Sequence, residues 1–525
     1  MGNTFVLYIS LIIVILLLVM LAKWLRIAYP VVLVLGGLVL SILPGLPIIK
    51  IDPEMIFIIF LPPLLYEAAW YTSWKDFWRF RRVITSFAFI IVIITSLVIA
   101  LVSNAVIPGF TLALGFLLGG IVSPPDAVSA TSILKTVKVP KSLTAILEGE
   151  SLLNDASSLI VFRFALLAVG TGQFVFHEAA TSFVLVIVMG TLMGIVIGLV
   201  YYALHKWLPT DPNIDTVLTL TAPYVMYLAA ERFHYSGVLA VVSGGLFLSA
   251  RSHRFLSNTS RLRGANVWSA LGFVLNGLVF MLIGLALPGI VAQLGSVSLP
   301  TAIWYGVLIT VVLVISRIIC ALGASVFTTF ISRFITTADS HPGWRGPLVI
   351  GWAGMRGVVS LAAALSIPLY LDNEVPFPQR NLILFITFTV ILLTLVVQGL
   401  TLPLVIRWVN LQDPDHRLPE KEQDLLVRRQ LAEHSLKFLD EVHTETLKHS
   451  KPVQQLRARF ELDESLPDNE SVVRHEDYRK VYFELLKRQR KFLQELNKKP
   501  ETDGDIIRKY QDMLDLEEEK LKMKY

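Results

Sequence analysis

The sequence is short of charge. Of 525 residues, 17% are Asp, Glu, Lys or Arg, against about 25% in an ordinary soluble domain. So few charges cannot clothe a soluble chain of this length, which excludes an ordinary water-soluble globule. Cysteine is nearly absent as well. Cys320 stands alone, so no intramolecular disulfide can form and nothing is said about redox compartment. A phosphate-binding loop, a dinucleotide fingerprint, a nucleophile–base pair and metal-ligand spacing of histidines are all missing. These absences speak against an enzyme and against a cofactor. The net charge of +5 reflects basic residues beside apolar runs and calls for no nucleic-acid partner.

What the chain has instead is apolar length. Hydrophobic residues make up 54% of it, and runs of about 20 such residues cross a bilayer. Thirteen candidate spans emerge: 4–22, 28–46, 54–71, 83–106, 111–134, 142–170, 179–204, 214–231, 236–250, 266–292, 300–332, 347–371 and 380–407. The first lacks a basic stretch before it and a small-residue cleavage site after it, and reads as a retained span. The runs 142–170 and 300–332 are long for one crossing and predict tilt. With the N-terminus outside, the inner loops carry Lys23, Arg26, Lys75, Arg79, Arg81, Arg82, Lys135, Lys138, Lys141, Lys206, Arg251, Arg254, Arg261, Arg263, Arg333 and Arg345. The outer loops carry Lys50, Arg232 and Arg380. This asymmetry follows the positive-inside rule and predicts a multi-pass plasma-membrane protein, embedded in a lipid bilayer, with a cytoplasmic C-terminus.

Composition changes near Asn410. Residues 411–525 hold 23 of the 46 basic and 26 of the 41 acidic residues. Ala432, Leu436 and Leu439 share a helical face, as do Tyr478, Tyr482, Leu485, Phe492 and Leu496. The expected organisation is therefore a membrane domain over 1–410 and a small helical cytoplasmic tail over 411–525, broken at Pro467 and Pro500. The tail is expected to be regulatory, with no partner specified.

An ionisable side chain in hydrocarbon is costly and marks function. The candidates are Glu67, Asp126, Glu148, Glu150, Asp155, Arg163, Arg317 and Arg356. At about 1.5 Å per residue, Glu67, Asp126, Asp155 and Arg356 fall in the middle of a layer about 30 Å thick. In span six, Ser151, Asp155 and Ser158 share one helical face, with Glu150 and Asn154 beside them. One carboxylate with hydroxyl and amide oxygens nearby suits a hard monovalent cation, and the same carboxylate can take a proton. A site that holds one or the other, never both, is all that exchange requires.

Span five contains Ser123-Pro124-Pro125-Asp126, whose two prolines break the helix in mid-membrane and free carbonyls before them. Span twelve is interrupted at Gly354-Met-Arg356-Gly357. If spans 1–6 and 8–13 are repeats, their entry sides are opposite and the two breaks correspond. Paired interruptions of that kind point to a transporter binding site. Arg356 requires a partner, and Glu150 is the expected one, as a structural ion pair. Arg163 and Arg317 have no assignable partner. Glu67 can reach a bound ion through water. A cation channel and a membrane sensor with a cytoplasmic output are the rival readings.

At Gly149-Glu-Ser-Leu-Leu-Asn-Asp155 the chain resembles the monovalent cation:proton antiporters of the sodium/proton exchanger branch, in its bacterial form. The two broken stretches and Val397-Gln-Gly-Leu-Thr401 add to the likeness, which covers roughly 1–410. The resemblance implies an all-α fold of about thirteen transmembrane helices with inverted repeats and two interrupted, crossing helices. It implies a homodimer whose core moves in an elevator-like step to exchange Na+, or Li+ or K+, for H+. Asp155 would bind the cation, with Ser151 and the broken backbone near Ser123 contributing and Asn154 organising the site. Glu150 and Arg356 would tie spans six and twelve together. At Pro125 the chain departs from relatives with Thr or Val there, so no side-chain oxygen is offered at that position.

Overall fold

The computed structural model describes residues 2–42, 58–134, 137, 139–172, 176–292, 294, 297–334, 342–371, 375–411, 420–443, 449–464, 471–496 and 504–524. The expectations for Lys50, Lys135, Lys138, Pro467 and Pro500 lie outside these residues. Among the described residues every regular element is a helix, apart from an isolated bridge between Tyr370 and Pro376. Helices suit hydrocarbon because each satisfies its own backbone.

The chain divides into two compact units, Met1–Asp415 and His416–Tyr525. The first begins with α1 (Gly2–Leu25), α2 (Tyr29–Ile42) and α3 (Leu61–Tyr71). A continuous helix follows, α4 (Trp74–Val106), with a π-helical stretch at Ser86–Ile91. Then come two half-helices, α5a (Leu112–Val122) and α5b (Ala127–Leu134). Next are α6 (Lys141–Thr171), α7 (Phe176–Trp207), α8 (Pro212–Arg232), α9 (Gly237–Ser249), α10 (Asn258–Ala292) and α11 (Leu299–Ile331). A second split helix, α12a (Arg345–Trp352) and α12b (Val358–Leu365), precedes α13 (Arg380–Val409), which is π-helical over Thr394–Gln398.

By length and composition, seven helices among the described residues can cross a membrane: α4, the α5 pair, α6, Ala180–Trp207 of α7, α10, α11 and α13. Ile9–Leu25, α2 and α9 are shorter apolar helices. The long runs at 142–170 and 300–332 are single helices of 31 and 33 residues. Two apolar clusters hold the unit together. One joins α1, α2, α4–α6 and α10–α13. The other gathers α3 and α7–α9 around Leu152 and Ala156 of α6.

The second unit comprises α14 (Glu420–Val442), α15 (Lys451–Glu464), α16 (Ser471–Leu496) and α17 (Gly504–Lys524). Ala432, Leu436 and Leu439 are buried, as their spacing predicts. The second predicted stripe holds in part: Tyr482 and Leu496 are half-buried, Leu485 and Phe492 are exposed at 46% and 60% while Leu486 is buried, and the Tyr478 side chain lies outside those described. The seam of α16 runs one position further along, where Arg490 reaches Asp515 and Glu518 of α17.

Candidate functional site

Both interruptions arise locally. α5a stops at Val122 because Pro124 and Pro125 carry no N–H to continue the ladder. α12a stops at Trp352 and helix resumes only at Val358, across Ala353-Gly-Met-Arg-Gly357. The two breaks meet. The Asp126 N–H donates to the Met355 carbonyl at 2.7 Å, joining one interrupted backbone to the other. Gly357 makes this approach possible: a Cβ there would stand 2.5 Å from Asp126 Oδ2.

Two charges satisfy the exposed helix ends. Asp126 caps α5b, with Oδ1 accepting from Val128 N–H at 3.0 Å and Oδ2 from the Ser129 hydroxyl at 2.7 Å. A carboxylate at a helix N-terminus is favoured by the free amides and the dipole. Arg356 is fully buried and donates from Nε to the Val122 carbonyl and from Nη1 to the Gly354 carbonyl. It thus places a cation at the carbonyl ends of both N-terminal half-helices. Its own N–H donates to Thr394 Oγ1 at 3.1 Å, in the π-helical stretch of α13.

The expected Glu150–Arg356 ion pair is corrected by this arrangement. The Glu150 carboxylate, also fully buried, accepts from Arg317 Nη1 at 2.8 Å and Nη2 at 2.9 Å. That is the two-pronged geometry in which a guanidinium fork matches a carboxylate. Arg356 is spent on carbonyls that the helix breaks leave without partners, and Arg317, from the unbroken α11, takes the acid. Arg163 likewise has a partner: its Nη2 lies 2.6 Å from Glu231 Oε2 at the end of α8.

Around the crossing lies a cavity of about 540 Å3. Asp155, Ser151, Glu148, Asp126, Glu67, Pro124 and Pro125 line it, so the structure brings most of the predicted residues together. The Asp155 side chain faces the cavity with neither hydrogen bond nor ion pair among the described residues, and the residue is 8% exposed. Ser151 Oγ accepts the Ala127 N–H at 3.1 Å, tying α6 to α5b. Asn154 Nδ2 donates to the Pro125 carbonyl at 2.9 Å, while Oδ1 is buried without a partner among the described residues. Asn154 therefore braces the first break against α6.

Three expectations change here. Ser123 does not line the cavity; its hydroxyl pairs with Ser96 of α4 at 2.9 Å. Ser158 turns back to the Asp155 carbonyl at 3.0 Å and does not reach the cavity either. Of the carbonyls freed by the first break, those of Val122 and Pro125 are taken by Arg356 and Asn154. Sequence reasoning also passed over Asn276 and Ser360, which line the cavity, and the buried His205 and Asp215, paired at 2.8 Å. A polar residue deep in an apolar helix was the available signal for Asn276. Among the described residues no group of three His, Cys, Asp or Glu is placed to hold a metal ion.

A helical membrane bundle whose interrupted helices meet beside an unpaired acid defines a broken-helix membrane transporter. The chain belongs to the sodium/hydrogen exchanger family, whose transmembrane family model matches residues 10–408. It is 35% identical over 383 residues to a sodium, potassium, lithium and rubidium/H+ antiporter of Bacillus subtilis, covering 71% of this chain and 56% of that relative. The chain thus matches little more than half that relative's length. It is 30% identical over 508 residues to an uncharacterized Na+/H+ exchanger of Mycobacterium tuberculosis, covering 94% of this chain and 92% of the other. In fold it is similar to the sodium proton antiporter MjNhaP1 from Methanocaldococcus jannaschii, with a TM-score of 0.58 at 18% identity, over 76% of this chain and 97% of that one.

Proposed function

We propose that this protein is a secondary antiporter that exchanges Na+, or Li+ or K+ in its place, for H+ across the membrane. The observation that carries the reading is the Asp155 carboxylate, unpaired and facing a cavity at the meeting of two broken helices. It binds a proton or a cation, in competition. Ser151 and the break around Pro124 and Pro125 shape the cation's surroundings, and Asn154 holds that break in place. Glu67 and Asp126 share the cavity as further acids. Glu150, neutralised by Arg317, takes no part in the proton cycle. One titrating acid then gives one proton out for one monovalent cation in, an electroneutral cycle. No cofactor is needed.

Around this site the reading places thirteen membrane spans in inverted repeats, alternating access by displacement of the broken-helix core, and a homodimer in the plasma membrane. The N-terminus lies outside and the charged tail is cytoplasmic and regulatory. Several bacterial relatives are themselves named sodium/proton antiporters, which supports the cargo assignment. The test is transport in inside-out vesicles with a pH-sensitive dye, each alkali cation added in turn. Sodium should collapse the pH gradient with the unaltered protein and fail to do so with a well-inserted Asp155→Asn variant. Cation flux without coupled proton movement would instead identify a channel, and no flux at all a sensor.

A further inference from the structure

Asn276 stands 18 residues along α10, a helix of 35 residues, about 27 Å from its start at the usual helical rise. Leu275 and Gly277 flank it and are buried. An amide at that depth is costly unless its hydrogen bonds are met. Asn276 is 9% exposed, and its side chain opens onto a cavity and makes no hydrogen bond to any described residue. It does line the cavity that holds Asp155, on a different helix from the Asp155 wall. One turn earlier on the same face of α10 is Gly272, where any Cβ would collide with the Glu67 carboxylate. The α10 wall is thus shaped to seat one acid against the helix and to present one neutral amide beside it. The other charged groups facing this cavity are Asp126, Glu148 and Asp155, all acids.

We propose that Asn276 is a specificity-determining residue of exchange: its side-chain carbonyl supplies a neutral oxygen ligand to the cation from the α10 wall. A carboxylate alone discriminates poorly among alkali cations. A fixed neutral oxygen from a second helix defines the size of the site and so which dehydrated ion fits. The inference rests on the exchange reading above, and the test separates the two.

The test compares Asn276→Thr with Asn276→Val, two side chains of the same shape that differ by one oxygen. Transport is measured for Na+, Li+ and K+ separately in reconstituted liposomes, with melting temperatures recorded for both proteins. The threonine protein should keep its KM for Na+ within about threefold. The valine protein should show a KM raised about tenfold, the equivalent of about 1.4 kcal/mol of binding, with kcat little changed and a different order of preference among the ions. A merely structural amide would move both variants alike, so equal KM values and an unchanged ion order would overturn the proposal. If the valine protein does not fold, Asn276→Asp carries the test. It keeps an oxygen and adds charge, and must alter the ion order; an unaltered order overturns the proposal. Absence of sodium-driven proton movement in the unaltered protein would sink the exchange reading itself.

Discussion

Replacing Glu150 by alanine removes a carboxylate that accepts two hydrogen bonds from Arg317, at 2.8 and 2.9 Å, in a place with no solvent exposure. What remains is a buried guanidinium without its counter-ion, close to a second one. A Cβ on Gly354 would touch both Arg317 Nε and Arg356 Nη1. Breaking a buried ion pair in this way costs about 3–5 kcal/mol, mostly because a charge is stranded. Arg317→Ala should cost a similar amount by stranding Glu150. The double change removes both charges, so its cost should fall well below the sum, with a coupling of at least about 1.5 kcal/mol. Arg356→Ala, combined with Glu150→Ala, should give losses nearer to additive, because Arg356 gives its Nε and Nη1 donors to the Val122 and Gly354 carbonyls and none to Glu150. The assay is apparent melting temperature of the purified single and double variants in one detergent. Additive losses for Glu150 with Arg317, or strong coupling of Glu150 with Arg356 alone, would refute the assignment.

Gly357→Ala places a methyl group against the Asp126 carboxylate. It should lower the melting temperature, since overpacking costs about 1–3 kcal/mol, and reduce exchange in the vesicle assay; full activity would mean the two breaks tolerate separation. Truncation after Asp415, at the boundary between the two units, should leave exchange in place with at most a shifted pH profile; complete loss in a correctly inserted protein would show that the tail is part of the transport machinery. In liposomes with a valinomycin-clamped potassium potential, sodium–proton exchange should ignore the voltage. A cycle moving net charge would respond by about 2.3 kcal/mol per charge per 100 mV, and such a response would require a second titrating acid.

Both helix breaks were legible because proline and glycine act locally: Pro124 and Pro125 remove amide donors whatever surrounds them. The position of Asp155 at the cavity was legible because a carboxylate in the middle of an apolar run is too costly to stand in hydrocarbon. The partner of Glu150 was not, since it comes from α11, 167 residues further along the chain. Depth along a helix gives the level of a side chain but not its azimuth, and Arg317 and Arg356 are both deeply buried. Arg356 misled for a further reason. The carbonyls that capture it exist only because the helices are broken, so its partner is backbone and leaves no trace in residue type. Glu231 drew no notice because it stands at the end of a span, where a charge is ordinary, although it meets Arg163 at 2.6 Å. Asn276 escaped a search for formal charges, being neutral.

Competition of proton and cation for Asp155 is tested most directly by counting protons. Purified protein in detergent, weakly buffered, is titrated with sodium chloride while a pH-sensitive dye records release, and cation binding is measured in parallel by calorimetry. At a pH where the free site is protonated, one proton should leave for each sodium ion bound, and the Asp155→Asn protein should release none. Sodium binding with no proton release, or release undiminished in the Asp155→Asn protein, would contradict the account.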